Sequence, residues 1–222
     1  MAINTFRKDA TERVNPLIRS LAVRTMGCVG IEAMLEYLLG PLADAMKDED
    51  AYVRKTTAIC VAKVHAINPA KVEQLGFLTR LADLLHDGNA MVVSNAVAAV
   101  SEIQATRGAF VKLTPALLAQ LLNALPECSE WGRVYILDFL AENLPPTWVS
   151  EETVQRIIPN LAHANPGLVL SATKIVIKYM TGVDSQDRLR SICRKLAQPM
   201  ISLMNNEPEI QYIAVRNIDL ML

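Results

Sequence analysis

A degenerate repeat of about 40 residues is the feature that most restricts how this chain can fold. In each copy a turn residue is followed by Pro or a small residue, two apolar positions, a polar position, and then Ala beside an apolar neighbour. The copies begin at Asn15, Asp50, Asn89, Ser129, Asn165 and Glu207. They recur every 35 to 42 residues, the spacing typical of HEAT and armadillo arrays. The sequence therefore predicts an all-α fold, an α-α superhelix of about six repeats that forms a single domain over residues 1–222.

Each copy has the local chemistry of a helix start. An Asn, Asp or Ser side chain can accept a hydrogen bond from the free backbone N–H groups of the first turn, and Pro is tolerated at the next position. Between the copies, apolar residues at spacings of three and four predict a partner helix for each repeat. These partners are expected over residues 31–47 and 72–85, from Pro115, after Ser150, and over 188–204, where Pro199 would kink the helix.

The composition argues against several other classes of protein. Hydrophobic residues make up 51% and charged residues 20%, so the chain can bury a core and is not disordered. A net charge of −1 and an aromatic content of 5% argue against a nucleic-acid partner. No apolar run is long enough to span a bilayer, and residues 1–8 lack the apolar core of a secretory signal. Four cysteines without CxxC spacing fit a reducing compartment, and the predicted location is cytoplasmic.

The sequence contains no group of residues with the chemistry of an active site. His65 follows Cys60 by five residues, a spacing that does not place both side chains on one helix face as metal ligands. The acidic run at residues 47–50 joins a helix end to the next cap, and a solvated turn explains it. Phosphate-binding glycine loops and the common hydrolase motifs are missing. We therefore expect no enzyme activity, no catalytic or metal-binding residues and no cofactor.

Basic residues and two tryptophans are the candidates for partner contacts. The basic residues are densest in the first third of the chain, at Arg7, Lys8, Arg13, Arg19, Arg24, Arg54, Lys55 and Lys63. Arg19 and Arg54 occupy the same repeat position, which leaves two interpretations open: an inter-repeat ladder with neighbouring acids, or a surface for an acidic partner or a phosphoinositide. Trp131 is expected to fill a gap between repeats. Trp148, which follows two prolines, is a candidate exposed anchor for a partner.

Several strings of the sequence are similar to one known family. They lie at residues 15–28, 47–63, 91–103, 127–132, 161–165 and 209–217, in order along essentially the whole chain. In these strings the chain resembles the trunk of the β-adaptins, the large β subunits of heterotetrameric clathrin adaptor complexes. Thr57 and the stretch at residues 30–33 depart from the family pattern, which marks a divergent member.

The resemblance implies a non-enzymatic scaffold subunit in vesicle-mediated intracellular protein transport. Its partners would be a second large adaptin, a medium subunit and a small subunit, and the complex would support cargo selection and clathrin recruitment. The family binds clathrin through a hinge and appendage beyond the trunk, which are absent from this sequence. Arf-type GTPases dock on the N-terminal trunk of some members, and Ile3 corresponds to that contact. The implied location is peripheral, on clathrin-coated pits and vesicles of the trans-Golgi, endosomes or plasma membrane.

Other scaffolds built from similar repeats are the alternatives. A coat-protein or karyopherin-like transport factor would carry a ladder of Asn and Trp, and a regulatory scaffold for a phosphatase or kinase would lack the strings above. The first copy has almost no partner helix before it, and residues 220–222 fall inside an apolar helix. We therefore expect the chain to be a piece of a longer array, with apolar ends that limit its solubility.

Overall fold

The computed structural model describes residues 2–219, without the side chains of Ala2, Ile3 and Met34. This part of the chain is all-α, as predicted, and contains no β-strand. The helices are α1 (Ala2–Ala10), α2 (Pro16–Cys28), α3 (Glu32–Ala45), α4 (Ala51–Ile67), α5 (Pro69–Gln74), α6 (Phe77–Asp83), α7 (Ala90–Arg107), α8 (Pro115–Ala124), α9 (Glu130–Asn143), α10 (Glu151–Ile157), α11 (Pro166–Met180), α12 (Gln186–Met204) and α13 (Pro208–Asp219). Short 3₁₀ turns lie at Leu84–His86, Leu125–Glu127, Pro146–Trp148 and Ile158–Ala162.

The repeat starts predicted from the sequence are helix starts in the structure. The side chains of Asn15, Asp50, Asn89 and Asn165 each accept a hydrogen bond from the backbone N–H two residues later, at 2.7 to 3.0 Å. Ser129 Oγ accepts from the N–H of Gly132 at 3.3 Å. Each of these bonds satisfies a backbone donor that the first helical turn would leave without a partner.

The partner helices agree with the prediction except at one place. The segment expected to be one helix over residues 72–85 is divided into α5 and α6. Gly76 lies between them with φ at +70°, in the left-handed region that glycine adopts without steric cost. The Leu spacing continues through this break, and for that reason the apolar pattern alone did not indicate it. Ser150 caps α10 as expected, and α12 continues through Pro199.

The chain folds as two compact units, Met1–Gly132 and Arg133–Leu222. In the first unit α4 packs between α2 and α7. The sides of α4 that face these neighbours bury small or branched side chains, among them Val53, Ala58 and Val61. In the second unit α11 packs against α10, α12 and the 3₁₀ turn at Ile158–Ala162.

Small residues set the closest approach between helices in the first unit. A Cβ on Gly27 of α2 would lie 3.0 Å from Cys60 Sγ of α4. A Cβ on Gly132 of α9 would lie 3.0 Å from the side chain of Ser94 on α7. These distances are shorter than ordinary carbon contacts, so α2 packs as closely on α4, and Gly132 lies as close to α7, as they do because no side chain intervenes.

Candidate interaction surface

Two arginines at the same repeat position join consecutive repeats of the first unit. Arg19 on α2 holds the carboxylate of Asp48 with two hydrogen bonds, of 2.7 and 2.8 Å. Its remaining terminal nitrogen donates to the carbonyl oxygen of Glu12 at 3.0 Å. The planar guanidinium matches the two carboxylate oxygens, which makes this a geometrically specific pair.

Arg54 on α4 repeats the same arrangement one repeat later. It holds the carboxylate of Asp87 with two hydrogen bonds, of 2.7 and 3.0 Å. It also donates to the carbonyl oxygens of Asp48 and Glu49, at 2.8 and 2.9 Å. Of the two interpretations of this repeat position, the inter-repeat ladder is therefore the correct one for both arginines.

The surroundings keep both aspartates ionised. Burial raises the pKa of Asp48, but the hydrogen bonds from Arg19 and from the backbone N–H of Asp50 outweigh this and hold the pKa below its ordinary value. Burial likewise raises the pKa of Asp87, and the hydrogen bonds from Arg54 and the N–H of Asn89 more than offset it. Each aspartate thus stabilises its arginine and also fixes the cap that starts the next helix.

Three other basic side chains of α2 and α4 form no ion pair of this kind with a neighbouring repeat. The Lys55 ammonium lies 4.2 Å from the centre of the Tyr52 ring, and Lys63 Nζ donates to Cys28 Sγ at 3.1 Å. Arg24 is exposed on α2. Among the described residues, none of these three cations has a carboxylate within 4.0 Å.

Exposed apolar side chains accompany these cations on the same two helices. Leu17 and Leu21 of α2 are 59% and 63% exposed, and Tyr52 of α4 is 39% exposed. Leu17 and Tyr52 occupy the same repeat position, two residues after the helix cap. This position was not among the predicted partner contacts, although bulky apolar residues recur there as Leu17, Tyr52 and Trp131.

The two tryptophans differ from each other in exposure. Trp131 is 65% exposed, so the expectation that it fills a gap between repeats was wrong. The reason is its neighbour: Gly132 turns toward α7 and takes the close contact, which leaves Trp131 directed to solvent. Trp148, in the 3₁₀ turn Pro146–Trp148, is 38% exposed, and its role as a partner anchor stays a prediction. The side chain of Ile3, the other predicted contact, lies outside the described residues.

Burial shifts the pKa values of two titratable side chains in the core of the first unit. Burial raises the pKa of the Cys60 thiol to about 12, so this sulfur is a protonated, unreactive core group. His65 is buried as well, and burial lowers its pKa. Residues 2–219 contain no cluster of three His, Cys, Asp or Glu side chains that could hold a metal ion. No described helix is both long and apolar enough to cross a bilayer.

Comparison with known sequences and structures defines the class of protein. Residues 17–178 match the family described as Cnd1, non-SMC mitotic condensation complex subunit 1. A designed armadillo repeat protein superposes with a TM-score of 0.56 at 18% identity, covering 99% of this chain and all of its own. A second, computationally designed for modular peptide recognition, gives 0.56 at the same identity over 98% of this chain and 99% of its own. The chain therefore has the HEAT/armadillo-type helical-repeat fold, and the match over residues 17–178 places it in the family of the Cnd1 model.

Curated relatives give a narrower assignment. The AP-1 complex subunit beta of Dictyostelium discoideum is 47% identical over the whole of this chain, and AP-1 complex subunit beta-1 of Mus musculus is 49% identical. The corresponding subunit of Saccharomyces cerevisiae is 37% identical, again over the whole chain. The chain spans about a quarter of the length of the first two relatives and 31% of the third. It is a member of the β-adaptins, the β subunits of adaptor complexes, as its resemblance to that family had indicated.

Proposed function

We propose that this chain is part of the trunk of a clathrin adaptor β subunit, a single domain of about six repeats that acts as a non-enzymatic scaffold. The observation that carries the proposal is its identity of 47–49% to AP-1 β subunits along its entire length. In this role it binds a second large adaptin, a medium subunit and a small subunit. The assembled complex supports cargo selection and clathrin recruitment in vesicle-mediated transport.

A scaffold needs a surface whose parts keep fixed positions. In the first unit, ion pairs between consecutive repeats support such a surface. Each repeat buries little apolar area alone, so its neighbours must be held in register for an extended surface to persist. The bonds from Arg19 to Asp48 and from Arg54 to Asp87 cross from one repeat to the next and supply that register. Trp148 is a proposed partner contact, because exposed tryptophans are frequent anchors of protein interfaces.

The remaining parts of the proposal concern location and further partners. The chain acts in the cytoplasm and reaches trans-Golgi, endosomal or plasma-membrane clathrin-coated pits and vesicles through its complex. Clathrin binds through regions outside this sequence. An Arf-type GTPase is a further proposed partner, with Ile3 at the contact. No cofactor, metal or nucleic acid takes part.

The test is affinity purification of the tagged full-length protein from its own cells, followed by mass spectrometry. Co-purification of a second large adaptin with one medium and one small subunit is the expected result, and the identity of those subunits would name the complex. Recovery of nuclear-transport cargo carriers or phosphatase subunits in their place would contradict the proposal and favour another class of repeat scaffold.

A further inference from the structure

The solvent-facing side of α2 and α4 combines exposed apolar side chains with positive charges that have no carboxylate partner among the described residues. Because α4 packs against α2 on one side and α7 on the other, the exposure of Tyr52 belongs to an open face of the repeat array. Residues on this face of α4 follow the spacing of a single helical stripe, from Tyr52 through Thr56 and Ile59 to Lys63. We call this side of α2 and α4 the open face.

Three side chains form the apolar part of the open face. Leu17 and Tyr52 lie in the first turns of their helices, Leu21 lies one turn further along α2, and each is more than a third exposed. On α7 the equivalent position is held by Met91, which is half-buried, and on α9 by Trp131, which is the most exposed of the series. Leucine and aromatic side chains presented four residues apart on one helix suit the apolar stripe of a partner helix.

The charge of the open face has one sign. Neither α2 nor α4 contains a single Asp or Glu. Arg24, Lys55 and Lys63 carry positive charge on or beside this face, and no carboxylate of the described residues lies within ion-pair distance of them. Lys63 of α4 reaches across to α2, where its Nζ donates to Cys28 Sγ, one turn beyond Arg24. The nearest acid along the chain is Asp50, whose carboxylate caps α4 by accepting from the N–H of Tyr52.

We propose that the open face of α2 and α4 binds a segment of a protein partner that presents bulky apolar side chains beside carboxylates, as an amphipathic acidic helix does. The apolar side chains cover Leu17, Leu21 and Tyr52, and the carboxylates pair with Arg24, Lys55 and Lys63. This deepens the scaffold function proposed above, on which it rests, by assigning a partner class to one surface.

An anionic membrane is the other surface that could offer negative charge and apolar groups, and the open face suits it less well. Electrostatic membrane sites usually gather about four to eight Lys and Arg residues. The open face has three, and one of them, Lys55, stacks on the ring of Tyr52. Apolar and basic side chains therefore lie next to each other on the open face. A peptide that carries apolar residues and carboxylates in turn can match this arrangement.

The experiment uses the full-length protein in its own cells, with the photo-crosslinking residue benzoylphenylalanine in place of Tyr52. A matched protein carries it in place of Tyr37, a tyrosine of similar exposure on α3, which bears acids and no Lys or Arg. After irradiation, the cross-linked peptide is sequenced by mass spectrometry. The expected product at position 52 is a protein segment that contains Asp or Glu together with Leu, Ile, Phe or Met, in at least several-fold excess over position 37.

Charge reversal tests the electrostatic part. Arg24→Glu with Lys63→Glu should lower the cross-linking yield at position 52 by about tenfold, since two ion pairs become two repulsions. The matched control reverses two exposed arginines of α12, Arg190→Glu with Arg194→Glu, and should leave the yield unchanged. If the charge-reversed protein does not accumulate, the cross-linking yield at position 52 is measured in the neutral variant Arg24→Gln with Lys63→Gln, where it should also fall.

Four outcomes would overturn the proposal: cross-links to lipid, cross-links to a segment without acids, a yield no higher than at position 37, or equal yields from the two charge-reversed proteins. Co-purification of the other adaptor subunits is followed in the same lysates. If those subunits are recovered while cross-linking fails, only the assignment of the open face is wrong. If they are not recovered from the unsubstituted protein, the scaffold function itself is wrong.

Discussion

At the scale of single residues, the arginine ladder shows how one side chain links two repeats. Arg54 contacts an aspartate side chain from the following repeat and a backbone carbonyl that precedes its own helix. The side chain of Asp87 is only 10% exposed, and this guanidinium is its ion-pair partner, beside the hydrogen bond from the N–H of Asn89. An ion pair of this kind stabilises less by its own attraction than by preventing an unpaired charge at a nearly buried position.

We therefore predict that Arg54→Ala lowers the free energy of unfolding by about 2–3 kcal/mol. Arg24→Ala, which removes an exposed arginine without a carboxylate partner, should change it by less than about 0.5 kcal/mol. Denaturant titration at neutral pH measures both. Because Arg54 holds the pKa of Asp87 below its ordinary value, the stabilisation is present above that value and is lost as the pH falls below about 4. The curves of the wild type and Arg54→Ala should converge there; equal losses in the two variants at pH 7 would contradict the ladder.

A second residue-scale prediction concerns the two tryptophans. Trp131 is 65% exposed and Trp148 is 38% exposed, so a small quencher in solution reaches the first more easily. Trp131→Phe should remove most of the fluorescence that acrylamide quenches, whereas Trp148→Phe should remove the smaller part. Acrylamide titration of the two variants measures this directly. If Trp148→Phe gives the larger loss, Trp131 occupies the gap between repeats after all.

At the scale of helices, packing distance is decided by which residues lack a side chain. Gly27 and Gly40 both lie inside helices, α2 and α3, and the sequence alone does not show which of them packs against another helix. In the structure, the position of a Cβ on Gly27 falls against Cys60, whereas a Cβ on Gly40 would meet no atom of another helix within 4 Å. The same substitution should therefore destabilise the protein more at Gly27 than at Gly40.

Gly27→Ala should destabilise the protein by about 1–3 kcal/mol through overpacking against α4. Gly40→Ala should change the free energy of unfolding by less than about 1 kcal/mol, because the backbone entropy gained with Ala is opposed by crowding between its Cβ and the ring of Pro41. Thermal or denaturant unfolding of the two variants gives the comparison. Adding Cys60→Ala to Gly27→Ala makes room for the new methyl group and should recover part of the loss. No recovery would show that the contact with Cys60 is not the cause.

At the scale of the whole molecule, a repeat array has no single centre, and local stability depends on how many neighbours a helix has. In the first unit α4 has neighbours on both sides, and residues such as Val53, Val61 and Val64 are completely buried. The described residues of α1 are exposed or half-buried. Opening of α1 therefore requires far less apolar surface to be exposed than opening of α4.

Hydrogen exchange should show this as a gradient. We predict that the amides of α4 and α7 are the most slowly exchanging of the first unit, and that those of α1 exchange close to the rate of an open chain. Exchange followed by mass spectrometry on proteolytic fragments resolves the individual helices. Uniform protection across the unit would mean that it opens only as a whole, which would exclude the nearest-neighbour behaviour expected of a repeat array.

The sequence by itself determined the parts of this protein that depend on contacts between near neighbours in the chain. The caps at Asn15, Asp50, Asn89 and Asn165 each join residues two apart, and the apolar spacing of three and four follows from the pitch of the helix, so both could be predicted. The family also followed from strings of residues and needed no coordinates. The break at Gly76 escaped prediction because glycine permits a left-handed turn without requiring one.

The tertiary structure decided what depends on residues far apart in sequence. Arg19 finds its carboxylate 29 residues away and Arg54 finds one 33 residues away, whereas Arg24 and Lys63 find none among the described residues. The sequence shows five Lys and Arg residues on α2 and α4 without distinguishing among them. Only the packing of one repeat on the next shows which of them form inter-repeat ion pairs and which are left for other contacts. The exposure of Trp131 was settled in the same way, because Gly132 rather than the indole occupies the contact with α7.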